Sequence, residues 1–435
     1  MFSLKTWIII WILLIGLILR FHNYDIYPQR GATSDEYTYS FLGVSLLTLG
    51  APISWSYFSP YPVKFDLTID NLYFPMKFPY FDHPPLNGLV VGSWAILNGE
   101  NSFEEITLKT IRLVPIFLSL ISSVFVFLIG KRLYNYETGL IGLLIYSTVT
   151  IFVIQSRVVL AENLLTPFVL LSLYLWLTWK NNMSDKRTLG LGIIAGLSIL
   201  TKELGIFVYF YLLYFFILYR IPIRFRVSLT LTVFLFIMSY IIYGAYYDWN
   251  SFVSILTVQS SREVGPQTLR LLFFTPVLIN KVYFDGWYYF GFLAFFYSLL
   301  HIKKNIELVI PAVIYFLLLV FSIIREGEMG WYMIPLFPFM AILTGRIIVE
   351  GLAQKNWMIM LLLLFVGLYQ IEYAYEANFG LIPIQFRLFI IILFGFPALA
   401  FLSNNEIFYK RISAVIVSFL IVITALMTYF YTHPA

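Results

Sequence analysis

The sequence predicts an all-α polytopic membrane protein with about thirteen transmembrane helices and further helices lying along the outer membrane face. Three observations carry this expectation. Hydrophobic residues fill 60% of the 435 positions and charged residues only 12%, whereas a typical soluble domain is about half apolar and a quarter charged. Aromatic residues reach 20% and mean hydropathy is +0.84, more apolar surface than a soluble core absorbs. Long apolar runs also recur along the chain between short polar turns, and helices satisfy their own backbone in a bilayer. A disordered chain, a secreted disulfide scaffold and a cytosolic enzyme are excluded. Cysteine is absent, so the chain has no disulfide, thiolate nucleophile or Cys-ligated metal. The net charge of +5 does not point to nucleic acid, because basic residues in a membrane protein set its orientation.

The first predicted span covers residues 7–19, lengthened by snorkelling of Lys5 and Arg20. It ends in Leu-Arg-Phe-His without a small-residue cleavage site, which reads as an uncleaved anchor rather than a signal peptide. The next runs are 111–130, 139–154, 164–179, 189–200, 206–218 and 227–246. After these come 287–300, 308–324, 334–349, 357–373, 386–402 and 412–431. Several are short and need flanking residues to cross about 30 Å of hydrocarbon.

The run 84–97 is ambiguous, because about 14 apolar residues often lie in the interface rather than span it. Charge resolves the ambiguity. The short basic loops hold Lys131-Arg132, Lys180 with Lys186-Arg187, Arg220 with Arg224 and Arg226, His301 with Lys303-Lys304, Arg346 with Lys355, and Lys410-Arg411. With thirteen crossings and a cytoplasmic N-terminus, all of them fall inside, as short cytoplasmic loops prefer. A fourteenth crossing would put them all outside. Residues 84–97 are therefore expected along the outer interface, and the C-terminus outside. Fifteen Lys/Arg and five Asp/Glu then lie inside, against thirteen and eighteen outside. The small net charge hides two opposed faces.

The predicted outer face owns the irregular polar sequence, chiefly segment 21–109 and loop 248–286, and long structured loops carry function. Four clusters stand out there. The first is Gly31-Ala32-Thr33-Ser34-Asp35-Glu36-Tyr37-Thr38-Tyr39. Its plain reading is a helix start, with Ser34 as cap and both acids favoured by the dipole. The second is Tyr80-Phe81-Asp82-His83-Pro84-Pro85-Leu86, whose prolines suit a first helical turn. Adjacent Asp82 and His83 lack helical metal-ligand spacing. The third, Gln155-Ser156-Arg157 through Glu162-Asn163, reads plainly as a snorkelling Arg and a capping Glu. The fourth, Thr201-Lys202-Glu203-Leu204-Gly205, interrupts apolar sequence almost without a loop. It is either a plain turn or, as ionisable residues at membrane depth generally are, a functional feature. Loop 248–286 holds Arg262, Glu263, Arg270 and Asp285 between Trp249 and Trp287, candidates to clamp an acceptor.

The order of these features resembles a known family. Asp-Glu follows the first span, then come His83-Pro84-Pro85-Leu86, Arg112-Leu113-Val114-Pro115, the inner turn Lys131-Arg132-Leu133-Tyr134, the Ser-Arg…Glu turn and the Thr-Lys turn. That order is similar to GT-C superfamily glycosyltransferases, in the branch of dolichyl-phosphate-mannose protein mannosyltransferases and lipid A aminoarabinose transferases. The likeness covers roughly residues 1–220, with Gly330-Trp331-Tyr332-Met333-Ile334-Pro335 resembling a later outer turn. It implies a glycosyltransferase that takes a hexosyl or pentosyl group from a polyprenyl (dolichyl) phosphate donor. The acceptor would be a protein, glycan or lipid at the outer face, and the displacement inverting and metal-independent. The only cofactor-like molecule implied is the lipid-phosphate-linked sugar itself.

By that resemblance Asp35 is the general base, and Glu36 is the adjacent catalytic acid that orients the acceptor or a loop. Tyr39, Asp82, His83, Arg157, Glu162, Lys202 and Tyr332 are substrate-binding residues, with Lys202 and Arg157 for the lipid phosphate. Family members with an acid-Lys-Pro carry Lys where this chain has His83, so a phosphate role there does not transfer. Residues 1–350 form the expected catalytic module and 351–435 the C-terminal spans of a multi-pass cell-membrane protein. The alternatives are a transporter or lipid-linked sugar flippase, which favours midplane charges and internal repeats, and a non-catalytic assembly subunit.

Overall fold

A computed structural model describes residues 3–33, 35–69, 72–261, 269, 273, 276–322, 330–374, 382–403 and 405–432. Among the described residues, each of the thirteen apolar runs falls on helix over most of its length. In chain order the helices through the first half are α1 (Leu4–Phe21), α2 (Asp35–Leu49), α3 (Leu86–Leu97), α4 (Leu108–Ile111), α5 (Leu113–Leu133), α6 (Tyr136–Thr148), α7 (Thr150–Gln155), α8 (Ala161–Trp179) and α9 (Asp185–Thr201). They continue as α10 (Ile206–Leu218), α11 (Ile223–Ser260), α12 (Gly286–Leu300), α13 (Ile302–Val320), α14 (Phe337–Gln354), α15 (Met358–Ala374), α16 (Pro383–Leu402) and α17 (Glu406–Tyr429). Seven described helical stretches are long and apolar enough to cross a bilayer by length and composition. The other crossings are shorter or broken: run 139–154 is split at Val149 between α6 and α7.

Local chemistry sets the boundaries. The side chains of Asn135 and Asn405 accept from the N–H of Thr138 at 2.8 Å and Phe408 at 3.0 Å, each supplying an orphan N-terminal donor with a partner. Pro222 separates α10 from α11, since proline cannot continue a helix.

Side chains fix which helix ends lie together. At one end Lys180 pairs with Glu307 at 2.7 Å, and the Tyr219 hydroxyl donates to the same carboxylate at 2.6 Å. The Tyr134 hydroxyl donates to Asn305 at 2.7 Å, the Tyr136 hydroxyl to the Lys5 carbonyl at 2.9 Å, and Arg346 also reaches Asn305. At the other end the His22 ring, just past α1, stacks on Tyr429 at 3.8 Å between centroids. The chain thus alternates between ends, and α17 finishes where α1 finishes. The basic loops gather at the first end.

The second end carries a cap built from α2, α3 and a small sheet. Helix α3 has 12 residues, about 18 Å of rise, short of the hydrocarbon thickness. Before it, Asp82 joins Tyr61; near its end, the Trp94 indole donates at 3.0 Å to the carbonyl of Thr110 in α4, which leads into α5. The chain enters and leaves α3 at the same end. Helices α2 and α3 cross in near-backbone contact: a Cβ on Gly43 would lie 1.8 Å from the Gly88 carbonyl oxygen. Gly43→Val is therefore expected to force the helices apart, at the roughly 1–3 kcal/mol or more that overpacking costs. A fall in melting temperature of the detergent-purified protein checks this.

The all-α expectation needs one amendment. Strands β1 (Ser54–Trp55), β2 (Val63–Ile69) and β3 (Leu72–Phe78) form an antiparallel sheet in the order β1-β3-β2, with Phe65 opposite Met76. A two-stranded hairpin, β4 (Val277–Leu278) with β5 (Lys281–Val282), lies further on. The alternation of Val63, Phe65, Leu67 and Ile69 with polar residues is a strand signal, hidden in a segment otherwise read as irregular. Phe74 of β3 packs on Phe103, between α3 and α4, at 4.8 Å.

Loop 248–286 is also amended. Helix α11 breaks at Asp248, with φ −169° and ψ 104°, and resumes to Ser260. The Asp248 carboxylate caps the restart, accepting from the Asn250 N–H at 3.0 Å and the Ser251 hydroxyl at 2.6 Å. Those bonds hold its pKa below the ordinary carboxylate value. Arg262, Glu263 and Arg270 lie outside the described residues. Asp285 is buried and caps α12, accepting from the N–H of Trp287 at 2.8 Å. Burial nevertheless raises its pKa to about 6.

Candidate active site

The sequence clusters converge at the capped end of the bundle, where α1, α7 and α9 finish and α5 and α8 begin. In the first turn of α2, the Thr33 hydroxyl accepts from the Asp35 N–H at 3.2 Å. Ser34, the expected cap, lies outside the described residues. Consecutive helical residues point about 100° apart, and here that separates two fates. Asp35 is half-buried, whereas Glu36 is fully buried.

Glu36 accepts from Arg112 through both oxygens, at 2.8 Å from Nε and 2.7 Å from Nη2. The Val159 N–H donates to the same carboxylate at 3.2 Å, and Arg112 Nη1 donates to the Tyr24 carbonyl at 2.7 Å. This two-pronged pair ties α2 to the segment after α1, the start of α5 and the turn before α8. Of the two tasks expected for Glu36, the geometry supports orienting a loop. Arg112 was legible only as part of a motif. Its partner was not, since 76 residues separate them.

Tyr39, one turn beyond Asp35, is buried and its ring lies 5.2 Å from that of His83. Burial, then Asp35, Glu162, Glu203 and Tyr332, push its phenol well above the ordinary value, so it stays a neutral hydroxyl. Asp82 is buried and accepts from the Tyr61 hydroxyl, which itself accepts from the Phe81 N–H at 3.0 Å. The Gln259 side chain donates to the Asp82 carbonyl, coupling the end of α11 to the loop that carries His83. Neither Tyr61 nor Gln259 carried a sequence signal.

Lys202, in the extended turn after α9, pairs with Glu162 in the first turn of α8. Its ammonium also sits 4.1 Å from the centroid of the Tyr332 ring. Burial alone lowers a lysine pKa, but Glu162 and Tyr332 together more than reverse it, so Lys202 is held charged. The turn is tight: a Cβ on Gly205 would meet the Ser198 carbonyl oxygen at 2.0 Å. The Tyr315 hydroxyl donates to the Tyr332 carbonyl at 2.8 Å, a support that sequence reading missed. Arg157 is 1% exposed, and its two terminal nitrogens donate to the carbonyls of Leu19 and Tyr27. Burial, with Arg20 and Arg112 nearby, lowers its pKa to about 9. Its position is that of a cation neutralising the carbonyl end of α1, apart from the Lys202 pair.

The structure thus brings Asp35, Tyr39, His83, Glu162, Lys202 and Tyr332 around one region, with Glu36 and Arg157 in its frame. A half-buried carboxylate on a rigid helix can accept a proton. A held ammonium can meet developing negative charge. Among the described residues, no group of three His, Asp or Glu is arranged to hold a metal ion.

Residues 82–243, less than half of the chain, match the model of the dolichyl-phosphate-mannose-protein mannosyltransferase family. ArnT from Cupriavidus metallidurans, bound to undecaprenyl phosphate, superposes with a TM-score of 0.58 at 14% identity, covering 98% of this chain and 78% of that one. The chain has the GT-C fold. The archaeal oligosaccharyltransferase AglB from Archaeoglobus fulgidus, in complex with an inhibitory peptide and a dolichol-phosphate, shares the GT-C fold at a TM-score of 0.51 and 12% identity. That match covers 99% of this chain and 56% of AglB. An uncharacterized protein of Aquifex aeolicus is 26% identical over 298 residues, 67% of this chain. The chain spans 58% of that relative's length and 56% of AglB's. The GT-C glycosyltransferase resemblance read from the motifs is therefore upheld by both fold and family match. The matched family segment holds Arg112, Glu162 and Lys202 but not Asp35.

Proposed function

We propose that this protein transfers a sugar from a polyprenyl-phosphate donor to an acceptor hydroxyl at the extracytoplasmic membrane face, with inversion. The observation that carries the reading is the placement of half-buried Asp35 at the same bundle end as the charged Lys202. Two solved proteins of the same fold, bound to undecaprenyl phosphate and to a dolichol-phosphate, support the donor class. In the transfer, the acceptor oxygen attacks the anomeric carbon and the bond from that carbon to the phosphate oxygen breaks. The electron pair leaves with the phosphate, and the acceptor proton passes to the Asp35 carboxylate. The phosphodiester becomes a monoester and gains charge, which Lys202 meets. Tyr39 and His83 line the sugar side, and Asp82 holds the His83 loop through Tyr61. Glu36 acts as a positioning residue: through Arg112 it fixes the helix that aims Asp35.

Incubating the purified protein with a panel of polyprenyl-phosphate sugars should release lipid phosphate with at least one donor. Uptake of a lipid-linked sugar into vesicles without transfer would replace this reading with transport. The orientation has its own test, because the chain has no cysteine. A single Cys at Glu104 is expected to react with an impermeant thiol reagent from outside the cell, and one at Asn135 is not. The reverse pattern inverts the topology.

A further inference from the structure

We infer that Glu162 is an internal counter-anion that competes with the lipid phosphate for Lys202 and so sets how tightly the phosphate product is held. The inference rests on the reading of Lys202 as the phosphate-binding cation. Both partners are buried: the Lys202 side chain is 5% exposed and that of Glu162 1%. Glu162 bonds Lys202 through Oε1, while its buried Oε2 has no hydrogen-bond partner. The ammonium has three N–H donors. The Glu162 carboxylate takes one, and the Tyr332 ring lies 4.1 Å from the same nitrogen. Any phosphate that reaches Lys202 in this wall must share it with, or take it from, Glu162.

The charges decide when that happens. The donor is a phosphodiester with one negative charge, matched by the single charge of Glu162. The leaving monoester approaches two negative charges near neutral pH, its second pKa being about 6. Lys202 therefore gains most from the phosphate as the sugar leaves, and an interaction stronger in the transition state than in the ground state raises kcat. Once the sugar has gone, the anionic Glu162 repels the product and offers Lys202 a replacement partner. Release is thereby built into the wall. The same competition explains why a carboxylate with one oxygen unpartnered is kept in a buried place, where such groups are otherwise costly.

The test measures binding of undecaprenyl phosphate and, in a separate arm, of inorganic phosphate to the purified full chain, with no sugar present. Glu162→Gln keeps the shape and removes the charge. It should tighten undecaprenyl phosphate on the order of tenfold and lower kcat through slow release. Inorganic phosphate should tighten as well if the headgroup alone is recognised. Unchanged inorganic phosphate with tightened lipid phosphate places recognition on the lipid form and upholds the competition. Glu162→Asp, which keeps the charge, should restore wild-type affinity. Lys202→Gln should weaken binding, and the double variant should match Lys202→Gln, since the tightening acts through Lys202. If Glu162→Gln fails to tighten either ligand while Lys202→Gln still weakens binding, the counter-anion inference is overturned and the reading of Lys202 stands. If Lys202→Gln binds like wild type, that reading itself fails.

Discussion

Asp35→Asn protein is expected to bind polyprenyl-phosphate donor about as well as wild type and to transfer sugar about 10²–10⁴-fold more slowly, the usual worth of positioned acid–base help. The amide preserves the size of the side chain and the Thr33 bond to the Asp35 backbone, but it cannot accept the proton. Because Asp35 is half-buried whereas Glu36 is fully buried, the melting temperature should move less than it does for Glu36→Gln. Single-turnover release of lipid phosphate, read beside donor binding, separates the two effects. Turnover near the wild-type rate would remove Asp35 as the base and return the site to a binding or transport role.

Glu36→Gln should behave in the opposite way, although its residue is adjacent. Glu36 and Arg112 are each 0% exposed and share two hydrogen bonds. Removing one member of such a pair strands the other as a buried charge, at about 3–5 kcal/mol. The expected signature is a large drop in melting temperature, with donor binding and transfer lost together. Arg112→Met should do the same. The double variant Glu36→Gln with Arg112→Met should recover part of the stability, because no lone charge remains. A Glu36→Gln protein that melts like wild type while losing only kcat would make Glu36 a participant in the chemistry rather than a frame.

These two neighbours show where reading the sequence stops. Helical spacing and dipole rules place Asp35 and Glu36 together in a first turn. Nothing in the local pattern says which acid stays half-buried and which meets an arginine 76 residues on. Lys202 and Glu162 pose the same problem in reverse. Lys202 interrupts apolar sequence and Glu162 stands at a helix junction; the family resemblance makes both substrate ligands, and in the fold they hold each other. Arg157 stands at the same helix junction as Glu162, and its two terminal nitrogens donate to backbone carbonyls.

By itself the sequence determined the membrane class, the positions of the thirteen helical runs and the end of the bundle at which the chemistry-bearing residues gather. Those follow from apolar run length and the placement of a few charges, because a bilayer penalises every exposed polar group and leaves few ways to thread a chain through it. Only the tertiary structure decided how the strands of the small sheet pair, the support of Asp82 by Tyr61 and Gln259, and which buried charge pairs with which. A burial pattern records how much surface must leave water. It does not record partners that come together only when distant helices pack.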